Sequence, residues 1–258
     1  MGVTLELTGR RVLVTGAGQG VGRSVALGCA QAGADVVVND LDPQRAEQVA
    51  AEIREQGGTG SASAFDVTDH DAVQRSIASL GGVDVLVNNA GNAGAEGFGS
   101  RGTFAESDPA DWEPFLRVNL YGTLHCCRAV LPGMIERRWG RLVTIVSDAG
   151  RTGDAGGAVY GAAKAGAAGL TRSLALENGR YGITANNISL GTMHTSATDA
   201  FWADPESPTA AAILRDYVIR RPGRPDEVAS LVVYLASEHG QWITGQTYPL
   251  NGGYSFAL

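Results

Sequence analysis

Short apolar runs alternate with helix-periodic stretches along almost the whole chain, and few folds accommodate that pattern. The first run, 11–15, stops at Gly16, and Gly/Ala-rich helical spacing follows over 20–32. Strand-like runs recur at 35–39, 60–65, 84–88, 141–146, 183–189 and 246–250. Helical stretches lie between them, at 43–56 behind Asp42 and Pro43, 69–79 behind Asp69, 108–138 behind Asp108 and Pro109, 156–181 and 224–236. Residues 91–103 read as a glycine-rich loop; 190–222 reads as irregular, with part of 209–220 helical. Strict alternation calls for a parallel sheet of about seven strands with helices on both faces, joined by right-handed crossovers. With no linker, composition break or repeat, residues 1–258 read as a single α/β domain.

Composition narrows the function. A net charge of −7 lacks the electrostatic footprint of a nucleic-acid binder. No apolar run reaches the ~18–20 residues of a membrane span, and the first residues lack a secretory signal pattern. Three cysteines, Cys29 and the adjacent Cys126 and Cys127, suit a reduced, cytoplasmic setting better than a disulfide scaffold. His70, His125, His194 and His239 are scattered without ligand spacing, so no metal site is expected.

The loop Thr15-Gly16-Ala17-Gly18-Gln19-Gly20-Val21-Gly22 falls between the first strand and the first helix. Dinucleotide sites need glycines there, for a tight turn and for close backbone approach to a pyrophosphate that the helix N-terminus then meets. Position gives the motif its weight, since 36 glycines produce such spacings easily by chance. Asp40 ends the second strand, where a carboxylate can accept from both hydroxyls of an adenosine ribose and repels a 2′-phosphate. No arginine adjoins it in sequence and Gln19 is uncharged, so NAD is favoured over NADP. The plainer reading makes Asp40 a solvated turn residue beside the helix cap Asp42.

Lysine occurs once, at Lys164, while arginine supplies the other 19 basic residues. Lys164 lies four residues after Tyr160 on a predicted helix, so the two share a face. Ser147 ends the preceding strand, at the sheet edge where ligands of such folds bind. A phenol titrates near ~10, too high to exchange protons readily at neutral pH. A neighbouring ammonium and a cationic nicotinamide both favour the phenolate.

With these residues in place the chain resembles the short-chain dehydrogenase/reductase family over nearly its whole length. The resemblance rests on Thr15-Gly16-xxx-Gly20-x-Gly22, Asp66-Val67, Asn88-Asn89-Ala90-Gly91, Asn119, Ser147, Tyr160-xxx-Lys164 and Asn251-Gly252-Gly253. It implies a Rossmann-like fold, with Tyr160 as general acid/base and Ser147 hydrogen-bonding the substrate oxygen. It further implies that Lys164 lowers the tyrosine pKa and binds the nicotinamide ribose, while Asn119 holds a helix distortion and a relay water. Asp66 and Val67 would meet the adenine, and Asn89, Ala90 and Gly91 would support the central sheet and line the cofactor cleft. The family commonly places Pro-Gly-xxx-Thr after the sixth strand; here Leu190 replaces the proline, while Gly191 and Thr195 keep their places. The nicotinamide-side loop is therefore expected to be less rigid or differently aimed, with Thr195 a carboxamide or phosphate contact. The resemblance also implies a homotetramer paired through the long helix and the small-residue helix around Lys164.

The expected activity is hydride transfer between NAD and a small secondary alcohol or ketone. Ser147-Asp148-Ala149-Gly150-Arg151 resembles dehydrogenases of alicyclic hydroxyacyl-CoA esters. The alternatives are a 3-oxoacyl thioester reductase and, from another class, a non-catalytic dinucleotide sensor. Among weaker signals, Asp148, Asp154 and His194 flank the site and are candidates for substrate contact. Phe201 and Trp202 suit an apolar lid within 190–222. Arg151, Arg215, Arg220 and Arg221 suit a phosphate patch or plain solvation. Cys126 and Cys127 suit packing.

Overall fold

The computed structural model describes residues 4–91, 102–204 and 207–256. Seven strands form one sheet: Arg11–Val14 (β1), Asp35–Val38 (β2), Thr59–Ala62 (β3), Val85–Asn88 (β4), Gly140–Ser147 (β5), Ile183–Leu190 (β6) and Thr247–Leu250 (β7). Their order is β3-β2-β1-β4-β5-β6-β7 and every pairing is parallel. The order reverses between β1 and β4, which opens a crevice at the carboxyl edge.

The helices are Gly20–Gln31 (α1), Pro43–Glu55 (α2), His70–Ser79 (α3), Glu113–Leu116 (α4), Gly122–Arg137 (α5), Ala149–Thr152 (α6), Ala158–Asn178 (α7), Asp199–Trp202 (α8), Pro208–Leu214 (α9) and Pro225–Ala236 (α10). Strands covered on both faces need continuous apolar runs. In β1, Val12 and Val14 join the cluster containing Val25 and Cys29 of α1 and Val228 and Val232 of α10. Leu13 turns to the other face, with Val73 and Ile77 of α3 and Val130 and Met134 of α5. The caps expected of Asp42 and Asp69 form, each carboxylate accepting from two backbone N–H groups of the first turn.

The expected 108–138 helix is interrupted. It begins as a 3₁₀ turn at Pro109–Asp111, continues as α4, passes through a π-helical turn at Arg117–Tyr121 and resumes as α5. Asn119 causes the slip: its side-chain Nδ2 donates to the Phe115 carbonyl at 3.0 Å, the acceptor an α ladder would give to residue 119. The helix expected near 209–220 ends at Leu214, because the following chain turns to hydrogen-bond the C-terminal segment, Ile219 N to Gly252 O at 2.8 Å. The short α6 was not expected from the sequence. Most of the 91–103 loop lies outside the described residues. Among the described residues no helix is long and apolar enough to cross a membrane.

Candidate active site

The cradle at the carboxyl end of β1 is backbone laid against backbone. Gly16 has φ +61°, and a Cβ there would lie 2.8 Å from Ala90 Cα. A Cβ on Gly22 would overlap the Gly16 carbonyl and the Asn89 amide. Asn89 ties the turn to the end of β4: its Nδ2 donates to the carbonyls of Thr15 and Gly16 at 2.9 and 3.0 Å. The Thr15 hydroxyl accepts from the backbone N–H groups of Asn89 and Ala90. Gln19, exposed, is the N-cap of α1 without a side-chain cap bond, and Val21 is half-buried in the first turn. Thr195 sits over this helix start, since a Cβ on Gly20 would lie 3.6 Å from its Cγ2. Free N–H groups at a helix start suit a pyrophosphate, so the cradle fits the dinucleotide that the motif implies.

Asp40 is buried rather than a solvated turn residue. Its Oδ2 accepts from Gly18 N at 3.0 Å; its Oδ1 accepts from Asp42 N at 3.0 Å and from Arg45 Nη2 at 2.8 Å. No arginine adjoins Asp40 in sequence, but the first turn of α2 delivers Arg45 to it. Asp66 closes a turn by accepting from Thr68 N, and Val67 is buried beneath Gly122. Asn39 donates to the carbonyls of Ser63 and Phe65, which fixes where the 63–67 segment leaves the sheet.

At the other end of the crevice Ser147 closes β5, and Tyr160 lies in the first turn of α7. Lys164, one turn further on, is buried, with Nζ donating to Ile145 O at 3.0 Å and lying 5.8 Å from the centroid of the Tyr160 ring. Burial pulls its ammonium down to about 8. A Cβ on Gly91 would lie 2.8 Å from Asn119 Oδ1 and 3.1 Å from Lys164 Nζ, so Gly91, Asn119 and Lys164 converge from three separate segments. A site of this make-up can hold a phenol, a hydroxyl and an ammonium around one substrate oxygen.

The loop after β6 is fastened without the family's proline. Thr192 N donates to Tyr217 Oη at 2.8 Å, and that hydroxyl donates to Thr192 Oγ1 at 2.9 Å. Met193 forms an isolated bridge with Gly223, and His194 N donates to Gly223 O. The buried Tyr217 ring also meets the Tyr254 ring at 5.2 Å. Only its position within a predicted irregular segment hid this residue from sequence reasoning.

Several weaker expectations are redirected. Asp148 is buried, not a free substrate contact. It accepts from Ser189 Oγ at 2.6 Å, Arg151 Nη1 at 2.9 Å, Ser255 Oγ at 3.1 Å and Asn251 Nδ2. Arg151 also donates to Ser255 Oγ and to the Phe256 carbonyl, while Arg221 pairs with Glu227, so neither stands ready for a ligand phosphate. His194, exposed, pairs with Asp199 at 2.9 Å. Trp202 is buried against Ala210 and Leu214, with Phe201 half out and edge-on to it. Cys126 and Cys127 are buried, as packing requires; burial raises both thiols, Cys127 to about 12.

Residues 16–255 match the profile of the enoyl-(acyl carrier protein) reductase family. The chain is 35% identical to the (2S)-[(R)-hydroxy(phenyl)methyl]succinyl-CoA dehydrogenase subunit BbsD of Thauera aromatica, over 97% of this chain and 98% of that one. A gluconate 5-dehydrogenase from Burkholderia cenocepacia in complex with NADP and tartrate superposes with TM-score 0.89, at 32% identity, covering 99% of this chain and 98% of the other. A 3-oxoacyl-[acyl-carrier protein] reductase with bound NAD from Brucella melitensis gives TM-score 0.88 at 33% identity, covering 98% and 94%.

Proposed function

Since this chain belongs to the short-chain dehydrogenase/reductase family, oxidoreductases acting on CH–OH groups, we propose that it interconverts a secondary alcohol and its ketone with NAD. The observation that carries this reading is Lys164: the chain's sole lysine is buried one helical turn from Tyr160, at the carboxyl edge of the sheet. A buried ammonium is expensive, and it is useful where a neighbouring phenol must give up its proton.

Ser147 holds the substrate oxygen by a hydrogen bond. Tyr160, as phenolate, takes the hydroxyl proton during oxidation and returns it during reduction. Lys164 favours the phenolate and holds the nicotinamide ribose, and Asn119 extends the proton path at the π turn. Bound NAD supplies the hydride acceptor at its nicotinamide ring. The cradle Gly16, Gly20 and Gly22 receives the pyrophosphate, Asp40 the adenosine ribose, Asp66 and Val67 the adenine side, and Thr195 the nicotinamide side.

Removing the phenol oxygen in Tyr160→Phe lowers turnover by roughly 10²–10⁴-fold while NAD binding survives, as expected for loss of a general acid/base. Near-normal turnover with intact binding would falsify the assignment. Kinship with a CoA-ester dehydrogenase favours an alicyclic or acyl-CoA hydroxy substrate, checked by turnover of hydroxyacyl-CoA esters against free alicyclic alcohols. A 3-oxoacyl thioester reductase is the second reading, favoured by the Brucella relative; the Asp40 carboxylate opposes only its NADPH-driven form. A dinucleotide sensor would have no use for a poised phenol. We assign the chain to a homotetramer in a reducing compartment such as the cytoplasm, with a monomer by sedimentation as the contrary result.

A further inference from the structure

At the amino edge of the sheet, opposite Ser147, the fold leaves a buried guanidinium half used. Arg141 is the second residue of β5, about 20 Å from Ser147 along the strand. Its side chain is 2% exposed, and burial pulls the guanidinium below its ordinary value. Nη1 donates to the carbonyls of Gly140 and Gly182 at 2.9 and 3.1 Å. Nε is buried and has no hydrogen-bond partner among the described residues. Nη2 lies 3.7 Å from Glu238 Oε2, beyond hydrogen-bond reach.

Glu238 comes no closer because its other oxygen is engaged. Oε1 accepts from Arg10 Nη2 at 3.0 Å and from Trp139 Nε1 at 3.1 Å. Arg10 and Arg141 both lie over the Trp139 indole, 3.6 and 4.2 Å from a ring centroid. Arg138 borders the same place, so three guanidiniums gather around one carboxylate. A buried charge without a matched partner is costly. The Nε–Nη2 edge left without an acceptor is the fork that takes a carboxylate or phosphate through two parallel hydrogen bonds.

Arg141, Ile183, Glu238 and Trp242 line a cavity of about 360 Å³ here, a volume in the range of small-molecule sites. Trp242 is 96% exposed, so its indole offers a bare face at the mouth of a cationic cavity.

We propose that this cavity is a second ligand site, for a small organic oxyanion whose carboxylate or phosphate head takes the Nε–Nη2 edge of Arg141 and whose flat apolar body covers Trp242. The site is separate from the dinucleotide crevice and stands whether or not the catalytic reading does.

Calorimetric titration of the whole chain with benzoate and with phenyl phosphate tests this, and the tighter of the two identifies the head. Benzamide, the same body without the charge, is expected to bind at least roughly tenfold more weakly, the scale of one charge-assisted contact. Glu238→Gln removes the like charge beside the site and is expected to tighten the anion roughly tenfold. A purely structural Glu238 would give no such gain. Trp242→Ala, at an exposed position that leaves the core intact, is expected to weaken it several-fold. Arg141→Met should abolish binding; should that variant fail to fold, the Glu238 and Trp242 variants decide alone. Binding that survives in Ser147→Ala places the anion away from the catalytic edge. The proposal is overturned if neither anion saturates, if benzamide binds as well, if Glu238→Gln and Trp242→Ala leave the affinity unchanged, or if Ser147→Ala abolishes binding.

Discussion

The carboxyl ends of β2 and β5 each carry an aspartate paired with an arginine a few residues on, yet the two pairs behave as different devices. Asp40 leans on backbone N–H groups and on Arg45, whose side chain is 41% exposed. Asp148 is locked by Ser189, Asn251, Ser255 and an Arg151 that is only 20% exposed. Near the switch point of the sheet the pair keeps its arginine side exposed. At β5 it rivets the C-terminal segment to the strand end that presents Ser147. When side-chain partners close around a charge pair, as at Asp148, the pair is architecture; where the partners are backbone N–H groups and one exposed arginine, as at Asp40, it is open on one side.

The contrast is broken most severely at Asp148. Asp148→Ala strands a half-buried guanidinium and three polar groups, and is expected to cost about 3–5 kcal/mol in urea unfolding. Asp40→Ala, which frees Arg45 to water but takes the acceptor from Gly18 N and Asp42 N, should cost less, about 1–2 kcal/mol. Equal costs would erase the distinction between rivet and ligand site.

Lys164 gives the next largest effect. Its ammonium titrates at about 8 in the folded chain, against an ordinary value of 10.5. Between those values the unfolded chain binds more protons, so stability rises with pH; the cost of the buried charge is fully present below about 8. Stability measured from pH 7.5 to 10.5 should therefore gain up to about 3 kcal/mol relative to Lys164→Met, which has nothing to titrate. A parallel pair of profiles would mean the amine is not buried as charge.

The smallest effect sharpens the division of the cleft. Tyr217→Phe removes two hydrogen bonds to Thr192 and should cost about 1–2 kcal/mol. Its functional mark is a raised KM for the whole dinucleotide with AMP affinity unchanged, since AMP reads the adenosine half alone. Weaker AMP binding would show that the two halves are not independent.

These pairs also mark how far the sequence could be read. The alternation of runs dictated a parallel sheet, because strands buried on both faces cannot carry polar alternation. The glycine spacing at a strand-to-helix junction and the four-residue step from Tyr160 to Lys164 are local geometry, legible without a partner. The break at Asn119 was foreseeable only through family resemblance, because nothing in helical periodicity says that a side-chain amide will take the Phe115 carbonyl. Leu190 suggested a loosened loop; the fold fastens that loop with Tyr217, 27 positions away in the numbering of the sequence.

What the chain's own order of residues settled was therefore the strands and most of the helices, their parallel arrangement and the edge on which reactive groups gather, all consequences of backbone periodicity and glycine sterics. Tertiary structure alone decided which aspartate would be enclosed by side-chain partners and what would fasten the loop after β6. Those outcomes depend on side chains brought together by crossovers and by the C-terminal segment, and contacts between residues far apart in sequence leave no periodic trace in it.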